Sequence, residues 1–225
     1  VGESVGDYYG YKSDGLFTSQ EEIDNHPSQT SIAGNSKIGD IKYVDMNGDG
    51  VLTAEDRTIL GNDVPWLNYG FSLNASYKGF DINVLTYGVA GVKTYFQQEA
   101  VQPFFNGGNI KSTWLDGWTE ENNVADAPFP RITTTSDAAQ NYITSDFWLF
   151  SGNYFRIRGL TLGYTFDKEM IKKARISNLR VYASSNNPFT IMADKRLSDY
   201  DPETGSGRAS YPGVKTFSIG LNASF

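Results

Sequence analysis

The stretch YGFSLNASY, Tyr69 to Tyr77, alternates strictly: Phe71, Leu73, Ala75 and Tyr77 fall on one side, and Gly70, Ser72, Asn74 and Ser76 on the other. Successive side chains of an extended chain point to opposite faces, so a period of two with one apolar and one polar face reads as a strand. Only Lys78 and Gly79 separate it from FDINVLTYG. A two-residue hairpin sets its flanking residues opposite each other on one face. Phe80, Ile82 and Val84 therefore continue the apolar face, and Asp81 and Asn83 the polar one.

The same pattern returns later in the chain. In GLTLGYTF, Leu160, Leu162, Tyr164 and Phe166 alternate with Thr161, Gly163 and Thr165. NLRVYASS is a weaker strand with Leu179, Val181 and Ala183 on one face, and DKEMIKKARIS before it reads as a charged turn holding one helical turn. KTFSIGLNASF sets Phe217, Ile219, Leu221, Ala223 and Phe225 against Thr216, Ser218, Gly220, Asn222 and Ser224.

Two architectures accommodate such strands. In a soluble β-sandwich the apolar face is core and the polar face meets water. In a transmembrane barrel the apolar face meets lipid and the polar face the lumen. The polar faces here are small and weakly charged (Ser, Thr, Asn, Gly), which suits a crowded lumen. Aromatics gather at strand ends, at Tyr77, Phe80, Tyr164, Phe166 and Phe225, as in the interfacial girdles of barrels. Long polar connections run from about Lys12 to Asn68, from Gly91 to Asn153 and from Pro188 to Gly213, whereas Tyr77 and Phe166 lead into short turns. Short periplasmic turns and long outer loops are the barrel arrangement. Five strands obey this parity if the last runs inward to Phe225, with a partial strand before Lys12. The expected fold is all-β, an antiparallel transmembrane barrel wall with long extracellular loops.

Composition narrows the function. A formal charge of −7 over 225 residues argues against nucleic acid, whose binding requires basic patches. Without cysteine there is no disulfide scaffold or thiol nucleophile, and the single histidine, His26, cannot build a histidine-based zinc triad. His26 precedes Pro27 in a polar loop and reads as solvated. No carboxylate pair stands out at strand ends, so no enzyme is expected. No run of 18 apolar residues is present, which excludes a spanning helix but not spanning strands. The opening VGESVGDYYGYKSDG is polar, carries no signal peptide, and reads as cut from something longer.

One segment carries metal chemistry. DMNGDGVLTAED has the spacing of a calcium loop: Asp45, Asn47 and Asp49 at positions one, three and five, Gly50 at the sharp turn, the Val51 carbonyl at seven, Thr53 at nine directly or through water, and Asp56 closing the shell at twelve. The expectation is a structural calcium ion; an Asx-rich turn without metal is the simpler alternative. Sensing is not expected, because no second loop and no Met-rich groove accompany it. Trp114, Trp118, Trp148 and Tyr154 lie in or beside an outer loop and are candidate contacts for substrate or a lid, with packing inside the loop as the alternative. Asp194, Lys195, Arg196, Asp199 and Asp201 form a charged stretch in the last outer loop, solvated or meeting a lid. Arg156 and Arg158 are expected at the upper rim, since charge in lipid is costly.

Seven segments in order resemble the SusC/RagA-type TonB-dependent outer-membrane transporters of the Bacteroidetes, over nearly the whole chain. They are GDYYGYKSDGLFTSQEEID, GDIKYVDMNGDGVLTAEDRTILGN, LNYGFSLNASYKGFDINVLTYGVAG, LDGWTEENN with FPRI, DFWLFSGNYFRIRGLTLGYTF, LRVYASSNNPFTI and VKTFSIGLNASF. The resemblance implies that residues 1–225 are the C-terminal wall and outer loops of a plugged barrel of about 22 strands, with plug and earlier strands outside this chain. It implies import of oligosaccharide or peptide across the Gram-negative outer membrane. The implied partners are a SusD-like surface lipoprotein as lid, TonB acting through the absent part, the rest of the barrel and plug, and outer-membrane lipid. It also implies that Phe217, Ile219, Leu221, Ala223 and Phe225 act as the barrel-assembly signal. From the residues alone, a soluble calcium-dependent carbohydrate-binding β-sandwich stays open as the alternative.

Overall fold

The structure, a computed structural model, describes residues 2–98, 101–133, 139–197, 200–204 and 213–225. The hairpin forms where the alternation places it. Strands β6 (Ser72–Tyr77) and β7 (Phe80–Ala90) pair with Tyr77 opposite Phe80, Ala75 opposite Ile82 and Leu73 opposite Val84. Lys78 and Gly79 take positive φ values of 48° and 85°, the mirror-image turn whose twist matches the flanking strands. A side chain at Gly79 would lie 2.6 Å from the Thr165 carbonyl oxygen, so this corner requires glycine twice over.

β7 pairs antiparallel with β10 (Tyr154–Thr165), β10 with β11 (Asn178–Met192), and β11 with β12 (Thr216–Ser224). The short β5 (Leu67–Tyr69) pairs farther along β7, completing a six-stranded sheet. Register carries the apolar face across every strand, in rows such as Tyr77–Phe80–Tyr164–Val181–Leu221 and Ala75–Ile82–Leu162–Ala183–Ile219. The polar face runs in parallel rows, for example Asn74–Asn83–Thr161–Ser184–Ser218. A slip of one residue at any strand would have exchanged the two faces. Among the described residues the apolar face is not packed under a second layer: Leu162 is 51% exposed and Ile219 86%. The sheet is open, with β12 at one edge.

β10 and β11 are longer than the alternation alone suggests. A bulge between Ile157 and Gly159 shifts the register, with Asn187 at φ 52° and Pro188 on the facing strand. The extra residue changes the phase of the pattern, so Phe155 and Ile157 share the apolar face with Leu160 and Leu162. Pro188 sits where no ladder bond is required of it. All long connections leave one end of the sheet. The two-residue turn and the one bearing α3 (Lys168–Ile171, capped by Asp167) lie at the other.

The long connections are not the irregular polar loops that their composition suggests. Val1–Val64 and Val92–Ser151 form a compact unit of their own, distinct from the sheet unit of Pro65–Gly91, Gly152–Thr204 and Tyr211–Phe225. In the first unit β1 (Asp7–Gly10) pairs with β4 (Thr58–Asn62), β2 (Ser13–Leu16) with β3 (Ile41–Tyr43), and β8 (Lys93–Tyr95) with β9 (Leu149–Ser151). The strand expected before Lys12 is thus β1, but it pairs within this unit and not with the sheet. Two short helices, α1 (Gln20–Asn25, capped by Ser19) and α2 (Thr30–Ala33), follow β2.

This unit packs Leu16, Phe17, Ile41, Tyr43, Leu52, Trp114, Trp148 and Phe150 into a core. The free edge of β3 is satisfied by side-chain amides acting in place of a neighbouring strand. Gln29 accepts from the Tyr43 amide at 2.7 Å and donates to the Ile41 carbonyl at 3.1 Å, while Asn141 accepts from the Ile41 amide at 2.8 Å. Buried backbone groups require such partners. Asp40, fully buried, is held by Arg131 Nε at 2.6 Å, Asn141 Nδ2 at 2.8 Å and the Lys37 amide at 2.8 Å. A buried charge persists only when paired in this way.

Candidate functional site

The polar face of the sheet is built around glycine. In the row Ser76–Asp81–Gly163–Tyr182–Gly220, bulky and bare positions alternate. Arg180 on β11 reaches across β10 to Asp81 on β7, with Nε and Nη2 at 2.9 and 2.5 Å from the two carboxylate oxygens. The pair lies over Gly163, where a Cβ would come within 2.4 Å of Asp81 Oδ1 and 2.5 Å of Arg180 Nη2. Tyr182 lies over Gly220 in the same manner, with the Arg180 guanidinium 4.9 Å from its ring centre. Fork-to-fork pairing fixes geometry as well as charge.

Toward the end where the long connections leave, Arg156 and Arg158 stand on β10, as the rim expectation places them. Arg156 bonds Thr190 Oγ1 at 2.9 Å and Asp201 Oδ1 at 2.6 Å, and Arg158 Nη2 meets Glu203 Oε1 at 2.8 Å. Tyr154 Oη donates to the same Glu203 oxygen at 2.6 Å. Asp201 is therefore no solvated loop residue. Burial alone would raise its pKa, but Arg156 and the amides of Glu203 and Gly213 outweigh burial and hold it below the usual carboxylate value. Asp194 pairs with Arg196 two residues on; Asp199 lies outside the described residues.

In the Asp45–Asp56 loop the carboxylates hold backbone amides. Asp45 accepts from Gly48 and Gly50 at 2.7 and 2.8 Å, and the Gly50 amide leads the bonds that lower its pKa. Asp49 accepts from Val51, and Asn47 from Asp49, each at 2.9 Å. Asp56 is fully buried and takes the amides of Met46, Asn47 and Thr53, while Thr53 caps the 3-10 turn Ala54–Asp56. A parallel bridge ties the loop to Ser28 through the Gly50 carbonyl and the Leu52 amide. Gly50, at φ 84°, makes the turn that position six demands. Among the described residues no three His, Cys, Asp or Glu side chains converge as a metal-holding group. The loop thus keeps its form through its own hydrogen bonds, with Asp56 serving as an anchor for amides.

The reading of Trp114, Trp118, Trp148 and Tyr154 as contact surfaces is corrected: all four are buried, Trp148 to 1% exposure. Trp114 stacks on Phe129 at 4.8 Å, Trp118 packs on Gly39 and donates to Asn123, Trp148 donates to the Asn141 carbonyl, and Tyr154 to Glu203. Faces enclosed by protein offer no platform for a ligand. His26 is also not simply solvated, since its ring stands edge-on to Phe17 at 5.1 Å and its Nδ1 lies 2.8 Å from the Pro27 carbonyl. Sequence reading missed the Asp81–Arg180 pair and the Glu203 contacts, because strand register and bulge bring together residues 99 and 45 positions apart. Phe217, Ile219, Leu221, Ala223 and Phe225 all stand on one exposed side of the edge strand and its end.

A two-faced antiparallel sheet, apolar on one side and polar on the other, with long connections at one end, defines the wall of an outer-membrane β-barrel. No family model matches the chain. TonB-dependent receptor P26 of Formosa agariphila is 29% identical over 238 residues, covering 100% of this chain and 23% of that protein. TonB-dependent receptor SusC of Bacteroides thetaiotaomicron is 26% identical over 220 residues, covering 96% of this chain and 20% of its own. The solved RagAB peptide transporter matches with a TM-score of 0.68 at 21% identity, over 97% of this chain and 22% of that one; at that identity the likeness shows the fold. The chain spans between a fifth and a quarter of these relatives. Over nearly its whole length the chain is thus similar to TonB-dependent receptors, SusC among them, and it shares the fold of the matching part of RagAB.

Proposed function

We propose that this chain forms wall and outer connections of a TonB-dependent importer that carries oligosaccharide or peptide through the outer membrane beneath a SusD-like lipoprotein lid. The observation that carries this reading is the apolar face, continuous in register over β6, β7, β10, β11 and β12 and left without a covering layer. Water would penalise such a face at roughly 25 cal/mol per Å² of apolar surface, whereas lipid accepts it. TonB and the plug act through parts outside this chain. In this reading Phe217, Ile219, Leu221, Ala223 and Phe225 form the strand recognised during barrel assembly.

The test is a gel of the detergent-extracted full-length protein, unboiled beside boiled, followed by cargo uptake in cells with and without TonB. A band that shifts on boiling and uptake that requires TonB are the expected results. A water-soluble, non-shifting protein would discard the importer and favour a soluble carbohydrate-binding module.

The Asp45–Asp56 loop takes, in this proposal, one structural calcium ion through Asp45, Asn47, Asp49, the Val51 carbonyl and Thr53, with Asp56 either swinging to the ion or remaining an anchor. Spacing and the Gly50 turn support it; extracellular sites of this kind have modest affinity, about 10⁻⁴–10⁻³ M. Protease sensitivity of the loop that is identical with calcium and with chelator would sink it.

A further inference from the structure

We propose that the end of the sheet bearing the short turns holds a phospholipid with a net negative headgroup. One acyl chain lies in a groove of the apolar face, and the phosphate meets Lys78 and the cations of the α3 turn. The groove, about 710 Å³, opens on the apolar side of β6, β7, β10 and β11. Its wall is the aromatic row Tyr77, Phe80 and Tyr164, closed by Phe166. The Phe80 and Tyr164 ring centres lie 4.6 Å apart, and Tyr164 and Phe166 meet edge to face at 5.0 Å. The floor is the next row along the strands, where Ala75 and Ala183 flank Ile82 and Leu162. Large rings beside two bare methyl groups leave a depression one row deep, about 7 Å along the strands. Apolar side chains line it, so hydrocarbon fills it better than water does.

The charge at the rim says what covers the groove. The two turns at this end, Lys78–Gly79 and Phe166–Ser177, carry Lys78, Lys168, Lys172, Lys173 and Arg175 against Asp167 and Glu169, in a chain whose formal charge is −7. The turns adjoin, the Thr165 amide donating to the Gly79 carbonyl at 2.7 Å, and the buried Ile171 seats the second of them. All five cations are exposed, and among the described residues only Lys172 has a carboxylate near it, Glu169 at 3.9 Å. Asp167 is engaged as the cap of α3, accepting from the Glu169 amide. Lys78 Nζ stands 5.2 Å from the ring centre of Tyr77, which is itself 71% exposed on the apolar side. This ammonium is therefore held at the lip of the groove and not over the polar face. A long Lys stem lies along hydrocarbon while its charge reaches headgroup level. A cluster of four or more Lys and Arg beside a membrane-facing surface attracts anionic lipid, each cation adding to the attraction. An amphiphile with an acyl chain and an anionic head satisfies groove and rim together.

The inference rests on the importer reading, which sets the short turns at the periplasmic leaflet. The experiment uses the full-length transporter in detergent, stripped of native lipid, and native mass spectrometry with three probes. These are phosphatidylglycerol, phosphatidylethanolamine with the same acyl chains, and glycerol phosphate. Phosphatidylglycerol should be retained about tenfold better than phosphatidylethanolamine, and glycerol phosphate hardly at all. Lys78→Gln, Lys168→Gln, Lys172→Gln and Lys173→Gln together should abolish that preference and leave phosphatidylethanolamine unchanged. Ala183→Phe, which fills the groove, should weaken both lipids; unchanged retention would overturn the seat of the acyl chain. Equal retention of the two lipids by wild type overturns the site, as does a preference that survives the fourfold variant, since the anion then binds elsewhere on the barrel. Glycerol phosphate held as well as phosphatidylglycerol overturns it too, because the groove would then have no part. Should the fourfold variant fail to shift on boiling, salt decides with wild type. The preference must fall between about 0.1 and about 1 M salt, where screening tightens from roughly 10 to roughly 3 Å, and a preference indifferent to salt removes the site. A barrel that shifts on boiling but shows no lipid preference sinks the site alone; a water-soluble, non-shifting protein sinks the importer and the site with it.

Discussion

The two units use the same aromatic and aliphatic residues to opposite ends. In the sheet unit Tyr77, Phe80, Leu162 and Ile219 are exposed in a register that repeats from strand to strand; in the loop unit Trp114, Trp148, Tyr43 and Phe17 are enclosed. The sheet orders its residues by period and leaves the apolar face to the membrane. The loop unit has no lipid to rely on and must enclose its apolar groups, so it follows the rules of a soluble domain, including satisfied buried polar groups at Asp40, Asn141 and Gln29. Two solvents have thus shaped one chain.

Substitutions in the full-length protein can break that contrast. Trp148→Ala should have the largest effect, about 3–5 kcal/mol, because it opens the aromatic cluster around Trp114, Phe129 and Tyr142 and leaves the Asn141 carbonyl without its donor. Rapid proteolysis confined to the loop unit, with the barrel still heat-shiftable, is the expected result; loss of the whole barrel would deny the units their independence. Leu162→Arg should cost about 2–4 kcal/mol on refolding into vesicles, and much less if that face met water. Gly163→Ala should cost about 1–3 kcal/mol by crowding, since the new methyl group meets the Asp81–Arg180 pair. If Asp81→Asn with Gly163→Ala restores stability, the crossing pair is the cause. Removing the Thr53 cap by Thr53→Ala should cost about 1 kcal/mol and loosen only the Asp45–Asp56 loop.

The smallest effect separates the units by pH. Glu22 is held below its ordinary value of 4.5, first by the Lys42 ammonium at 2.6 Å and then by the Thr18 amide. A carboxylate with a depressed folded pKa stabilises the fold above its unfolded value, and the gain disappears as pH falls through the folded one. Wild type should therefore exceed Glu22→Gln in protease resistance of the loop unit at pH 7, and the two should converge as pH falls below 4.5 and on through the lower folded value. A constant difference down to pH 3 would assign the effect to packing.

Much of the sheet was legible because period two is a local property: Phe71 through Val84 fix their own faces, and the Lys78–Gly79 turn fixes the register. What was not legible depended on distant partners. The bulge at Arg158 shifts the phase and hid the first third of β10, and nothing local to Asp81 announces Arg180. In the loop unit the aromatics follow no period, so Trp114 and Trp148 gave no sign of which way they would turn. The Asp45–Asp56 spacing was plain, but it could not show that Asp56 is buried against three amides, since that depends on how Met46 and Thr53 are presented by the surrounding fold.

The bare positions Gly163 and Gly220 have a hydraulic consequence. Side chains that stand upright narrow a conduit by their full length; the Asp81–Arg180 pair and the Tyr182 ring instead lie flat across glycine, within van der Waals reach of the backbone. In the proposed importer, a lining laid down like tiles would give a wider bore than its residue sizes suggest. Filling one glycine would raise a tile, so in that importer the addition of a single methyl group at Gly163 or Gly220 would narrow the bore by lifting a whole side chain.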